Sequence, residues 1–190
     1  MNERHAPDIL PAQEFLLSNL LDHIRRQSET VQILRGAPSM SEDEHLRITL
    51  AQMEIERVKF IVRSYVRTRL FKIEKYARHI MLNEDVQRRI TAAERDHASR
   101  HAQLSERHFY NSVLQSLPPS QAHLDDEPVF TPSMVTQSDL TRPVFVRARK
   151  DCEPIVLPDG TTLQMPKNHI SLTPYNVVSH LVERGDVELV

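Results

Sequence analysis

Ten histidines are the side chains of this 190-residue chain that most invite chemistry. His97 and His101 stand four apart in "AAERDHASRHAQLSERHFY", with His108 one heptad further on. On a helix that spacing puts two imidazoles on one side. A zinc site of the His-Glu-x-x-His kind needs Glu directly after the first His, but residue 98 is Ala, no cysteine is near, and Arg95, Arg100 and Arg107 are interleaved. The stretch reads as a polar helix face, not a metal site. The lone cysteine, Cys152, lies between Asp151 and Glu153, neighbours that raise a thiol pKa and make it a poor nucleophile. Glu54 and Glu56 are two apart and diverge on a helix, so they form no acid–base pair. Gly36, Gly160 and Gly185 are the only glycines, which leaves no phosphate-cradling loop, and no serine sits in a nucleophile-elbow context. The residues point away from catalysis and from any metal or cofactor.

Composition narrows the classes further. Hydrophobic residues make up 39% and charged residues 26%, enough for a sizeable buried core. The formal charge is −2, but it is unevenly spread: residues 54–78 hold eight Arg or Lys against Glu54, Glu56 and Glu74. That local excess raises the reading of a basic-helix nucleic-acid-binding module. Against it, the cations are distributed around the helix among apolar residues, tryptophan is absent and aromatics are 5%, which leaves little for base stacking. A single cysteine excludes an internal disulfide framework and fits a reducing compartment. The N-terminus "MNERHAPDIL" is polar and the apolar runs are short, so neither a signal peptide nor a membrane span is expected, and the chain reads as soluble and intracellular.

The elements that must position these residues are mostly helices. Pro11 suits a first helical turn, and "EFLLSNLLDHI" places Leu16, Leu17, Leu20, Leu21 and Ile24 at helical spacing before "GAP" at 36–38. Ser41 and Glu44 have the form of a capping box, and the helix they open runs without a breaker to about Leu82. Asn83 marks a bend before a further helix ending at Pro118-Pro119. Five prolines between 118 and 143, with Ser, Thr, Gln and Asp, read as a linker. The hydrophobic period then becomes two in "VFVRAR", "LPDGTTL" carries a Pro-Asp-Gly turn, and "HISLTPYNVVSHLVERGDVELV" reads strand, helix, strand. Thr173 is the expected N-cap, Pro174 the first-turn residue and Gly185 the left-handed stop. The expected fold is mainly α: an antiparallel helical bundle over 1–117, a Pro-rich linker over 118–142, and a small β-rich domain over 143–190. Val144, Val146, Val187 and Leu189 are its expected packing residues.

The long helix is apolar on more than one side. At about 100° per residue, Ile55, Val58, Ile61, Val62, Tyr65, Val66, Ile73, Tyr76 and Ile80 share one broad face, expected to be the bundle core. Arg69 falls near its middle, so its charge requires either a carboxylate from another helix or an escape to solvent. A second stripe holds Met53, Phe60 and Phe71, flanked by Glu56, Arg63, Arg67 and Glu74. It is either a solvated face with two stray aromatics or a second packing surface. A chain this short has few elements with which to cover two faces, which favours contact with another subunit.

With these features in view, "QMEIERVKFIVRSYVRTRLFKIEKY" (52–76) resembles the signature helix of the Sld-five subunit of the GINS complex. "NERHAPDIL" (2–10), "LPPSQAHLD" (117–125), "VFVRARKD" and "VVSHLVERGDVELV" are similar to further segments of that family, in the same order. The residues matching its helix pattern are Glu56, Arg57, Ser64, Tyr65, Arg67, Arg69, Leu70, Lys72, Ile73, Glu74 and Lys75. The resemblance implies a helical A domain followed by a β-rich B domain. It also implies a nuclear, non-enzymatic scaffold role in a heterotetramer with three sister subunits, supporting the MCM helicase assembly and meeting DNA only indirectly. Two parts depart from the pattern: relatives carry a further helical stretch before the "NERHAPDIL"-like segment, and 83–105 matches weakly.

Overall fold

The computed structural model describes residues 1–36, 41–118, 122, 134–158 and 160–190. Most of the expected linker and part of the "GAP" and Pro-Asp-Gly segments therefore lie outside the described residues. Helices come first and a small antiparallel β module follows.

A single helical turn, α1 (Asn2–His5), precedes α2 (Glu14–Arg35). Pro11 lies ahead of α2 and not in its first turn; Glu14 occupies that turn, where a carboxylate suits the helix dipole. The long helix α3 (Glu42–Lys75) begins at a reciprocal cap: the Ser41 N–H donates to Glu44 Oε2 at 2.9 Å and the Glu44 N–H to Ser41 Oγ at 3.3 Å. The uninterrupted run expected to Leu82 instead kinks at Tyr76 (φ −107°, ψ 17°), which separates α3 from α4 (Ala77–Leu82). Hydrogen bonding continues on both sides of the kink, and the buried Tyr76 hydroxyl donates to the Pro7 carbonyl at 3.4 Å. A tertiary anchor, not a local breaker, accompanies this bend.

The helix expected after Asn83 is likewise divided. The Asn83 side chain accepts from the Asp85 N–H to open the one-turn α5 (Glu84–Gln87), and Thr91 then starts α6 (Ala92–Ser112) with a full capping box. Glu94 N–H donates to Thr91 Oγ1 at 3.1 Å and Thr91 N–H to Glu94 Oε2 at 2.9 Å. A cap of this kind satisfies donors that a continuing helix would not leave free, so the chain restarts there. A 3-10 turn, Leu114–Ser116, follows α6.

In the C-terminal module, β1 (Pro143–Ala148) pairs antiparallel with both β4 (Ile170–Pro174) and β5 (Val187–Leu189). The register sets Phe145 opposite Leu172 and Val146 opposite Leu189. A separate hairpin joins β2 (Cys152–Val156) to β3 (Thr162–Met165), and Gly160 in its turn takes φ +81°. Thr173 belongs to β4 and caps nothing. The N-cap of α7 (Tyr175–Arg184) is Pro174, and the buried Thr173 hydroxyl has no partner among the described residues. Gly185 ends α7 in the left-handed region at φ +75°, a conformation glycine adopts without penalty.

The chain divides into two compact units, one formed by Met1–Ala12 with Arg69–Val190 and the other by Gln13–Thr68. The first holds two apolar cores. One lies in the β module, around Val144, Val146, Met165, Val178 and Leu189. The other lies among the helices, around Ile9, Ile73, Ile80, Val86 and Ala98. The second unit holds one small cluster, Val31, Ile48 and Ile55, with Ile24 against it.

Candidate subunit interface

The 13–68 unit is a helical hairpin of α2 and most of α3, and it buries very little. Among its described residues Val31, Ile48 and Ile55 are the only buried side chains. Two helices offer each other one stripe apiece, so each leaves the rest of its surface uncovered. The broad face of α3 expected to be core is thus only partly covered in this unit. Ile55 is buried and Val58, Val62 and Tyr65 are half-buried, but Ile61 and Val66 are exposed. In the other unit the same helix has Ile73 fully buried, with Tyr76 and Ile80 following it. The second stripe is open throughout: Met53 is 64%, Phe60 68% and Phe71 66% exposed. On α2, Phe15, Leu16 and Ile33 are exposed as well. Large apolar side chains exposed in this number make the hairpin a candidate interaction surface.

The charges flanking the stripe differ in their surroundings. Glu56 Oε1 accepts from Lys59 Nζ at 2.8 Å, which holds its carboxyl below the usual range, and Arg63 Nη2 stands 3.9 Å from Glu56 Oε2. The acid facing Arg63 is therefore on its own helix. Arg67 is exposed and has no ion-pair partner among the described residues. Glu74 is half-buried, with Oε1 3.1 Å from His97 Nε2 on α6, and keeps part of its side chain exposed.

Arg69 sits at the centre of a buried network, with 2% of its surface exposed. Its Nε and Nη2 donate to the two Glu94 oxygens at 2.7 and 2.9 Å, a bidentate pair. Nη1 donates to Glu3 Oε2 at 3.1 Å and to the Leu10 carbonyl at 2.7 Å, and Nη2 also to the Arg89 carbonyl at 3.4 Å. All five guanidinium donors are thereby used, which is what permits a buried cation. One turn along, Lys72 Nζ donates to Glu3 Oε1 at 2.9 Å, to the Asp8 carbonyl at 2.7 Å and to the Glu3 carbonyl. Burial pushes the Lys72 ammonium pKa down, while Glu3 opposes the shift. Burial alone would raise the Glu94 carboxyl, but the bonds from Arg69 and the Thr91 cap outweigh it and hold it below its ordinary value. Sequence reasoning singled out Arg69 but missed Glu3, Lys72 and Glu94 as its companions. The Thr91-x-x-Glu94 cap was a legible signal for one of them; Glu3, in a polar N-terminus, carried none.

In the β module Val144, Val146, Val187 and Leu189 all face the core and are buried. The opposite sheet face shows Phe145, Ile170 and Leu172 exposed, beside an Arg147–Glu188 ion pair. Burial, followed by the Asp186 charge, pushes the Cys152 thiol up. His97 and His101 ring centroids are 6.4 Å apart, and among the described residues no group of three or more His, Cys, Asp or Glu is placed to hold a metal ion. No described helix is long and apolar enough to cross a membrane.

A family profile described as "GINS complex protein helical bundle domain" matches residues 17–113, and one described as "DNA replication complex GINS protein SLD5 C-terminus" matches 139–190. The chain is 36% identical over 191 residues to the protein named DNA replication complex GINS protein sld5 of Schizosaccharomyces pombe, covering 100% of this chain and 87% of the relative. It is 32% identical to the like-named protein of Chaetomium globosum, covering 99% and 85%, and 27% identical to that of Homo sapiens, covering 100% and 85%. The chain belongs to the SLD5 family of GINS complex proteins.

Proposed function

We propose that this chain is a non-enzymatic scaffold subunit of a heterotetrameric GINS complex. It acts in the nucleus and supports the MCM helicase assembly in initiation and elongation of DNA replication. Membership of the SLD5 family supports the role in replication and in a multi-subunit complex. The observation that carries the scaffold reading is the 13–68 hairpin, whose long helix α3 exposes Met53, Phe60, Ile61 and Val66 on more than one side while α2 exposes Phe15, Leu16 and Ile33. Three sister subunits are the partners, and Met53, Glu56, Phe60, Arg63, Arg67, Phe71 and Glu74 are the interface residues proposed for them. The functional division is a helical A domain over 1–117, a linker over 118–142 and a B domain over 143–190. Separate profile matches over 17–113 and 139–190 support it, the second of which begins within the last four linker residues.

The reading of a basic nucleic-acid-binding helix has less support. Of the eight cations in 54–78, Arg69 and Lys72 are buried and saturated, and Arg57, Lys59 and Arg63 lie beside acids of their own helix. DNA contact through the assembled complex fits better than contact by this helix alone. Co-expression with the three candidate sisters, followed by mass determination, tests the proposal. A 1:1:1:1 species is expected; a stable lone monomer that ignores its sisters would overturn it.

A further inference from the structure

The β module and the helices of the 1–12/69–190 unit have separate cores, and no described side chain belongs to both. The segment between Asn2 and Leu10 supplies a buried residue to each. Ala6 is buried among Val144, Val146 and Val178 of the module, while Ile9 is buried among Ile73, Ile80 and Val86 of the helices. Its polar groups divide the same way. Toward the module, Asn2 Oδ1 accepts from the Leu189 N–H of β5 at 2.9 Å. Toward the helices, Glu3 takes Arg69 and Lys72, and Asp8 Oδ2 accepts from Arg89 Nη1 at 2.8 Å. The Ala12 N–H adds a bond to the Arg89 carbonyl at 2.8 Å. By contrast, an ion pair that joins helices to module directly, Arg89 to Glu183, spans 3.8 Å between partly exposed side chains. Such a pair holds little.

We infer that residues 2–10 act as a strap that docks the C-terminal β module on the helices, with Glu3 as its latch. The module's orientation is then set by the N-terminal segment, because a packed bridging segment fixes orientation as well as reach. Ser138 Oγ, just ahead of the module, adds a 3.4 Å bond to Asp8 Oδ1 of the same segment. Two buried cations gripping Glu3 make the helix side of the strap its stronger end, because removing one partner of such a group is costly. The module side is held by the Asn2 amide with Ala6 and the partly buried Leu10, whereas the buried ion pairs lie on the helix side. The module side is therefore the one from which the module releases.

Spin labels on Gln103→Cys of α6 and Glu153→Cys of β2, in a Cys152→Ser full chain, read the distance between helices and module. The docked chain is expected to give one narrow distribution. Asn2→Ala with Ala6→Asp cuts the strap from the module, and Glu3→Gln with Asp8→Ala cuts it from the helices. Each is expected to broaden the distribution at least about twofold, with helical content and amide protection of β1 retained. Glu183→Ala, which removes the direct bridge, is expected to leave it narrow. Narrow, wild-type distributions in both strap variants, or broadening by Glu183→Ala alone, would overturn the inference. Should Ala6→Asp unfold the module, seen as lost β1 protection, the helix-side variant decides, since it leaves the module core untouched.

Discussion

The two compact units use similar side chains to opposite ends. The 1–12/69–190 unit takes two cations and two carboxylates into its interior and leaves none of the Arg69 donors unmatched. The 13–68 hairpin keeps its cations outside and leaves large apolar side chains there with them, Phe60 and Ile61 among them. A single helix, α3, carries both patterns. Its C-terminal end meets α6 and the N-terminal segment, so Ile73 and Arg69 are enclosed by this chain's own atoms. Its earlier turns pack with α2 in the 13–68 unit, around Val31, Ile48 and Ile55. A helix face is therefore buried or exposed according to how many elements of the same chain reach it, and residue type by itself does not decide.

The sharpest way to test that contrast is to remove charge from the enclosed end. Arg69→Met keeps volume but leaves Glu3 and Glu94 facing each other across a vacated position. It is expected to cost about 3–5 kcal/mol in urea unfolding, the usual penalty for breaking a buried pair. A loss below about 1 kcal/mol, the range of exposed pairs, would mean that water reaches the network. That result would put Arg69 on the same footing as Arg67.

The open end should behave in the reverse manner. Phe60→Asp is expected to leave the unfolding of the chain within about 0.5 kcal/mol, as for surface changes, and to weaken assembly by about 2 kcal/mol, as for an aromatic anchor. Arg67→Glu in the same pull-down should have a smaller effect that depends on salt, since it reverses a charge at the rim. If Phe60→Asp lowers chain stability while assembly is untouched, the stripe is covered within this chain and the comparison fails.

These differences trace what was legible beforehand. Period-two and period-3.6 patterns, the Ser41 cap and Gly185 placed most elements, because each rests on local geometry that a few adjacent residues specify. The kink at Tyr76 has no local signal: its hydrogen bonds continue, and its anchor is Pro7, far away in sequence. Thr91 carried a signal that an unbroken helical pattern across 83–117 concealed. For the candidate interface, spacing identified Met53, Phe60 and Phe71 as one stripe. Glu74 shares that spacing yet turns to His97, since the approach of α6 is a tertiary fact. Glu3 was illegible for the same reason, being an acid in a polar stretch until Arg69 and Lys72 come to it.

The smallest effect concerns pH, and Glu94 sets its sign. Its folded-state carboxyl is held below the ordinary value near 4.5, so the folded state binds fewer protons there than the unfolded chain. Stability from this group is fully present above that ordinary value and is lost as pH falls through the lower, folded one. Lys72, also depressed when folded, contributes the same sign of slope as pH falls from its ordinary value near 10.5 toward its lower, folded one. Urea midpoints between pH 6 and pH 3 should thus fall more steeply for the wild-type chain than for Glu94→Gln, which starts lower and has no proton to take up at that site. Parallel slopes would mean that Glu94 is no more strongly held than a surface carboxylate. The Arg69 network would then owe its order to Glu3, and the strap would be the chief stabiliser of the enclosed end.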